Sequence, residues 1–171
     1  RVFLMRGNRD FLIGEAYARR CGATLLDEPA VVEIAGERIV LVHGDAECLD
    51  DTGYQQWRQL SHSPAWQQQF LARPIDERLA MARAARAASL AHRKTHEAQA
   101  PSPASPERGA NASPDRSAMA EGRVEGGGDL APIAVADLLE RFGASGLIHG
   151  HTHRPARHPL EGDHWRWVLS D

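Results

Sequence analysis

Short apolar runs closed by tight polar turns set the pattern of this chain. Residues 2–5, 39–42 and 147–148 are rich in Val, Ile, Leu and Phe and read as buried strands. Each runs into a turn: Gly7-Asn8-Arg9-Asp10, His43-Gly44-Asp45 and Gly150-His151-Thr152-His153. Elsewhere the spacing is helical. It predicts a helix over 11–21, stopped by Gly22, and then a hairpin of strands 31–34 and 39–42 around Ala35-Gly36-Glu37. Helices follow over 51–60, with Asp50, Asp51 and Thr52 as available caps, and around Trp66, Phe70 and Leu71. An Ala-rich helix made basic by Arg78, Arg83, Arg86 and Arg93 starts at Pro74 and runs to about His96. A last helix over 134–142 ends at Gly143, before the strand into His149. Alternating strands and helices predict an α/β domain with helices outside a sheet.

Composition narrows the picture. A chain of 171 residues is normally one domain and can bury a real core. A net charge of −3 argues against a broad nucleic-acid surface, so no nucleic acid is expected as partner. Cys21 and Cys48 are the only cysteines and mark no disulfide framework, which favours a reducing, cytosolic setting. No apolar stretch approaches the roughly 20 residues that span a bilayer. Between 97 and 128 the chain turns to Ala, Ser, Pro and Gly, closing on Gly126-Gly127-Gly128, and reads as a disordered insert without chemistry. The first residue is Arg and the last segment, 165–171, is strand-like, so both ends read as cut and the chain as a fragment.

The chemistry lies in the turns. Ligands of open α/β sheets collect beyond the carboxyl ends of the strands. An amide oxygen from Asn8 and imidazole nitrogens from His43, His151 and His153 would meet there as metal ligands suited to Mn²⁺, Fe²⁺, Zn²⁺ or Ni²⁺. The lack of thiolates disfavours a structural zinc site. Two such ions about 3.5–4 Å apart can clamp a phosphate and activate water. Blander roles compete: Asn8 as a plain turn residue, His43 as a satisfied core histidine. His149 is expected to pack or to orient a neighbour, and Asp10 and Asp45 to fix an Arg or His rather than to ligate. Cys48 is expected to be a small buried group.

These elements resemble the calcineurin-like metallophosphoesterases, and most closely their UDP-2,3-diacylglucosamine pyrophosphohydrolase branch. The matching text is Gly7-Asn8-Arg9-Asp10-Phe11-Leu12, His43-Gly44-Asp45 with Asp50-Asp51-x-Gly53-Tyr54-Gln55, and the run from Leu147 to Pro155 through Gly150-His151-Thr152-His153. It covers 1–96 and 129–171. The resemblance implies a metallophosphoesterase sandwich, β-sheets flanked by helices, incomplete at its N-terminus, with a helical cap at 57–96 inserted in a single domain over 1–171. It implies hydrolysis of the lipid substrate UDP-2,3-diacylglucosamine to UMP and 2,3-diacylglucosamine 1-phosphate in lipid A biosynthesis. It also implies two Mn²⁺ ions and a cytoplasmic protein peripheral on the inner membrane. Asn8, His43, His151 and His153 take the metal-ligand positions; Asn8, Arg9, Asp51, Ser89 and His151 take substrate-binding positions, with Arg9 and His151 catalytic.

Arg9 fits diphosphate cleavage. Arginine stays charged and is a poor acid, but it braces phosphate bidentately. A diphosphate expels a phosphate monoester, a good leaving group that needs no strong acid. Two departures stand out. The family's opening Asp-x-His and Gly-Asp motifs are absent and are expected upstream of Arg1. The remaining ligands are neutral, so the chain as given is expected to hold at most one ion and to be inactive. On the basic helix Arg86 and Ser89 match, but Leu90 replaces a lysine, followed by Arg93 and His96. Trp57, Trp66, Phe70, Leu71, Ile75, Leu79 and Met81 are either core or the lining of a cap that receives acyl chains and touches a membrane. Two alternatives remain: a general phosphatase or phosphodiesterase on nucleotides or phosphoproteins, and a metal-free protein-binding scaffold.

Overall fold

The computed structural model describes residues 1–99 and 128–170, with backbone alone for 88–99. It divides into two compact units, one of residues 1–74 with 128–171 and one of 75–127. The first unit holds β1 (Val2–Met5), α1 (Glu15–Arg20), β2 (Ala23–Leu26), β3 (Ala30–Ile34), β4 (Glu37–Val42), α2 (Thr52–Ser61) and α3 (Pro64–Leu71). After residue 128 it continues with α5 (Pro132–Phe142), β5 (Gly146–His149), β6 (Ala156–Pro159), a 3₁₀ turn and β7 (Trp165–Val168). The described part of the second unit is one helix, α4 (Ile75–Gln99). The stretch 100–127, most of the expected insert, lies outside the described residues, as do the side chains of Ser89, Leu90, Arg93 and His96.

A five-stranded sheet ordered β3-β4-β5-β7-β6 carries the fold. Its centre, β4-β5-β7, is parallel, and both edge pairs are antiparallel. This is the α/β class that the alternation of elements predicts. Central parallel strands are covered on both faces and therefore read as continuous apolar runs; Ile39, Val40, Val42 and Leu147 are buried. The β3–β4 hairpin turns on Ala35 and Gly36, both at positive φ (53° and 84°), the twist a two-residue hairpin requires. On α5, Val135, Leu138 and Leu139 face the sheet at helical spacing. Each such side chain contributes about 1.5–3 kcal/mol of burial. Helix propensities differ only by tenths of a kcal/mol, so packing decides where this helix sits. Gly143, at φ 56°, ends it, and the Ala144 N–H caps the Leu139 carbonyl at 2.9 Å.

Several expectations are corrected. The first helix starts at Glu15 rather than residue 11, because Gly14 takes an extended N-cap conformation and the Ile13 N–H closes a turn on the Asp10 carbonyl at 2.8 Å. Phe11 is instead stacked on His62, with centroids 5.0 Å apart, and tilted against Trp66. The run 2–5 is a strand, but Val2 and Phe3 are exposed: β1 pairs only with β2 in a separate two-stranded parallel sheet. Strands β2 and β6 escape the sequence reading, β6 because Ala156-Arg157-His158-Pro159 has an edge strand's composition. Nor does a core form from the aromatic residues of α2 and α3. Trp57 and Leu71 are exposed, as are Ile75, Leu79 and Met81 on α4, and α3 buries no residue fully. Trp66 stacks on Phe70 at 4.9 Å and meets Trp57 edge-on at 5.3 Å.

Gly146 tests the sheet. A methyl group there would lie 2.3 Å from two atoms of the Trp165 ring, which also donates to Glu37 and faces Arg157. Gly146→Ala is expected to cost about 1–3 kcal/mol, read as a lower urea midpoint with an unchanged slope.

Candidate functional site

The turns that follow β1, β4 and β5 meet at one rim. Strands β4 and β5 are parallel neighbours with Val42 opposite His149, so His43 and Gly150 leave the sheet side by side. The Gly150 N–H donates to the His43 carbonyl at 3.1 Å. The third turn arrives from β1: a methyl group on Gly7 would sit 2.6–2.9 Å from three atoms of the His43 imidazole. Only glycine fits so close. Asn8 follows it, half-buried.

Backbone conformation then sets the histidines. His151 and His153 both have positive φ, 62° and 53°, and the Thr152 N–H turns back to the Gly150 carbonyl at 2.7 Å. Left-handed backbone costs a non-glycine residue about 1–2 kcal/mol, and such residues cluster at working sites. The His43 and His151 rings meet edge to face at 5.2 Å. The His43 Nε2 is buried and has no hydrogen-bond partner. Burial, reinforced by the charges of His43, His153 and Arg9 against an opposing pull from Asp45, holds the His151 imidazole below its usual range. A neutral imidazole keeps its lone pair for a metal.

These donors fit a borderline divalent cation. Asn8, His43 and His151 would hold it. His153 and Arg9 are exposed, both near enough to His151 for their charges to act on it. Among the described residues no three of His, Cys, Asp and Glu are grouped closely enough to hold an ion by themselves. A further donor, such as the Asn8 amide, is needed beside the two imidazoles. Asp51 caps α2, its Oδ1 accepting from the Tyr54 N–H at 2.9 Å, and the Tyr54 ring lies 6.4 Å from that of His151. Ser89 is on α4, in the other unit.

Around the ligands runs a polar network that the sequence reading largely missed. Glu28 accepts from the His43 N–H, and Arg58 reaches both Glu28 (3.6 Å) and Asp45 (2.9 Å). Asp45, 1% exposed, also accepts from the Tyr54 hydroxyl. Burial pushes its carboxyl up, but Tyr54 and Arg58 outweigh that and hold it below the usual range. Asp45 is thus a support, as expected; Asp10 accepts from the Gly7 N–H and shapes the first turn. Glu47 is pushed up to about 7 by burial and then by Glu28, with one carboxyl oxygen buried and unpaired. Cys48 is buried, its thiol donating to the Gly44 and Gly128 carbonyls. Asp129 and Arg166 form a bidentate pair at 2.9 and 3.0 Å. Apart from the Asp10–Gly7 turn, these contacts carry little local sequence signal, since partners lie up to 80 residues apart in the chain.

His149 is 1% exposed and packs against Gly44, as does Leu130. Its Nδ1 lies 2.9 Å from the Gly150 carbonyl, which makes Nδ1 the protonated nitrogen and leaves the buried Nε2 unpaired. Burial lowers its pKa to about 4.

The family model for calcineurin-like phosphoesterases matches residues 1–155. The chain is also similar to proteins named UDP-2,3-diacylglucosamine hydrolase. With that of Chromobacterium violaceum it shares 43% identity over 170 residues, 99% of this chain and 60% of the relative. With that of Xanthomonas axonopodis pv. citri it shares 43% over 174 residues, covering 99% and 62%. With that of Bordetella pertussis it shares 44% over 173 residues, covering 99% and 57%. The chain thus spans about 60% of the length of these relatives.

Two predictions come from this geometry. Gly7→Ala is expected to displace the His43 ring and weaken Mn²⁺ binding at least tenfold, measured by titration calorimetry, while urea stability falls by only about 1–3 kcal/mol. His149 gives a pH signature. Its folded-state pKa lies below the ordinary value of 6.5, so on acidification the unfolded chain takes up the proton first. Stability is therefore lost as pH falls from about 6.5 to about 4, and the loss stops below that. In His149→Asn this stretch of the stability–pH curve is expected to flatten by about 2–3 kcal/mol, read from urea midpoints at stepped pH.

Proposed function

Because the chain belongs to the calcineurin-like phosphoesterase family, we propose that it carries part of the active site of a UDP-2,3-diacylglucosamine diphosphatase. The products are UMP and 2,3-diacylglucosamine 1-phosphate. The observation that carries this reading is 43–44% identity, over 99% of the chain, to relatives named for that substrate. The rim supports it independently, since Gly7, His43 and His151 meet there around a buried imidazole nitrogen without a partner.

Asn8, His43 and His151 would hold Mn²⁺ in this reading. The resemblance adds His153, which lies exposed near His151 and is not grouped with the other two imidazoles closely enough to form a three-histidine site. A bound divalent ion supplies Lewis-acid polarisation of the phosphoryl oxygens and a water of lowered pKa. The chain's own residues do the rest. Arg9 stands exposed near His151, where its guanidinium braces the diphosphate and stabilises the negative charge that develops on it. It remains charged and gives up no proton, which suits departure of a phosphate monoester. The family resemblance gives Asp51 and Ser89 substrate-binding positions as well. The exposed Ile75, Leu79 and Met81 on the basic helix α4 face acyl chains or an anionic lipid surface. No helix among the described residues is long and apolar enough to cross a membrane. We place the protein at the cytoplasmic face of the inner membrane, peripherally bound.

The test is an assay of the protein carrying this chain, loaded with Mn²⁺, on UDP-2,3-diacylglucosamine and on bis-p-nitrophenyl phosphate. UMP release from the lipid is expected to dominate, and Arg9→Ala to lower kcat by about 10²–10³-fold. Faster turnover of the nitrophenyl ester would indicate a general phosphodiesterase instead. Failure to bind any Mn²⁺ would leave the scaffold alternative.

A further inference from the structure

Arg58 has no place in that chemistry, yet it lies at the centre of the polar network. It sits on α2 with its side chain 24% exposed, between Glu28 and Asp45, whose side chains are 17% and 2% exposed. Glu28 Oε1 accepts the His43 N–H, and Glu28 Oε2 faces Arg58 Nη2. Asp45, two residues beyond His43, takes the Arg58 Nε. One guanidinium therefore ties together the carboxylates that hold the His43 segment at two points. Gln55, three residues earlier on the same helix, donates to the Asp45 and Cys48 carbonyls at 2.8 and 3.0 Å and fixes the loop beyond.

Without Arg58 the two screened-out carboxylates would repel each other. A partly buried charge that loses its partner is costly, and the group free to move is the one that relieves the repulsion. Asp45 is locked by Tyr54 and by its own buried backbone, so Glu28 is the group that yields, taking its hydrogen bond to His43 with it.

We propose that Arg58 is a positioning residue for the His43 metal ligand, acting through Glu28 and Asp45 to hold the His43-Gly44-Asp45 turn where the imidazole faces His151. This rests on the reading of His43 as a ligand. Outer partners that orient a ligand typically change metal affinity about 10- to 100-fold when removed. A residue that merely fastens α2 to the sheet would change stability and leave affinity intact.

The experiment measures Mn²⁺ binding to the full chain, by electron paramagnetic resonance and calorimetry, for wild type, Arg58→Met, Arg58→Lys and Gly146→Ala. The last variant loosens the sheet at the end away from the rim and serves as the stability control. Arg58→Met is expected to bind about 10- to 100-fold more weakly, with a shifted and broadened His43 imidazole signal in ¹⁵N NMR. Arg58→Lys, which keeps the charge but cannot fork between two carboxylates, is expected to fall in between. Gly146→Ala is expected to bind as wild type despite its lower stability. Wild-type affinity in Arg58→Met, or in Arg58→Lys should Arg58→Met not fold, would overturn the positioning role alone. Absence of Mn²⁺ binding in wild type would overturn the proposed function and this inference with it.

Discussion

The parallel pairing of β4 with β5 is the constraint on which the site depends. Register places Val42 opposite His149, and the Gly150 N–H bond to the His43 carbonyl carries that register one residue past the sheet. A slip of one residue would exchange the faces of every side chain on the slipped strand and would part His43 from Gly150. The register is held by what lies beneath: Val40, Val42 and Leu147 against Val135, Leu138 and Leu139 of α5. Core packing thereby decides which two of the chain's histidines face each other.

Above that frame, charge does the finer work. The candidate ligands are amide and imidazole donors rather than carboxylates, and buried His149, with a pKa of about 4, is uncharged. Negative charge is kept one step away, on Glu28 and Asp45, and is balanced by Arg58. An arrangement of this kind avoids direct repulsion between ligands and still supplies an anionic surrounding to a cation. Arg9 lies on the solvent side, where a phosphate would approach.

Much of this was legible in the sequence, for a local reason. The turns stood out because a Gly, an Asn or a pair of His directly after a short apolar run is both a strand end and a donor cluster, and β4, β5, α5 and the β3–β4 hairpin follow the apolar spacing closely. What escaped was non-local or conditional. Phe11 continues a helical apolar pattern, but it stacks on His62, 51 residues away by number, and the helix begins only after Gly14. Glu28 looks like a loop carboxylate until β3 and β4 fold back and bring it to the His43 N–H. Arg58 reads as one basic residue on a polar helix face. Strand β1 reads as buried because its residues are apolar, whereas burial depends on neighbours that a pattern of residues cannot count.

The rim brings several unfavourable features together on neighbouring loops. Left-handed backbone at His151 and His153, an unpaired Nε2 on His43 and an unpaired Glu47 oxygen lie on or beside the same loops. A strained residue costs about 1–3 kcal/mol, comparable with what one fully buried Leu or Val contributes. Such terms would be lost from a site with no task, since a different residue at each position would relieve them. They persist here over a sheet whose interior is largely aliphatic, beside a buried Asp45 paired with Arg58. Stability is drawn from one layer and spent in another, and the layer where it is spent is the one where Gly7, His43 and His151 converge. The buried His149 Nε2 and Arg166 Nε, on strands of the same sheet, are unpaired as well, so what sets His43 apart is not an orphaned nitrogen alone but its meeting with Gly7 and His151 at the rim.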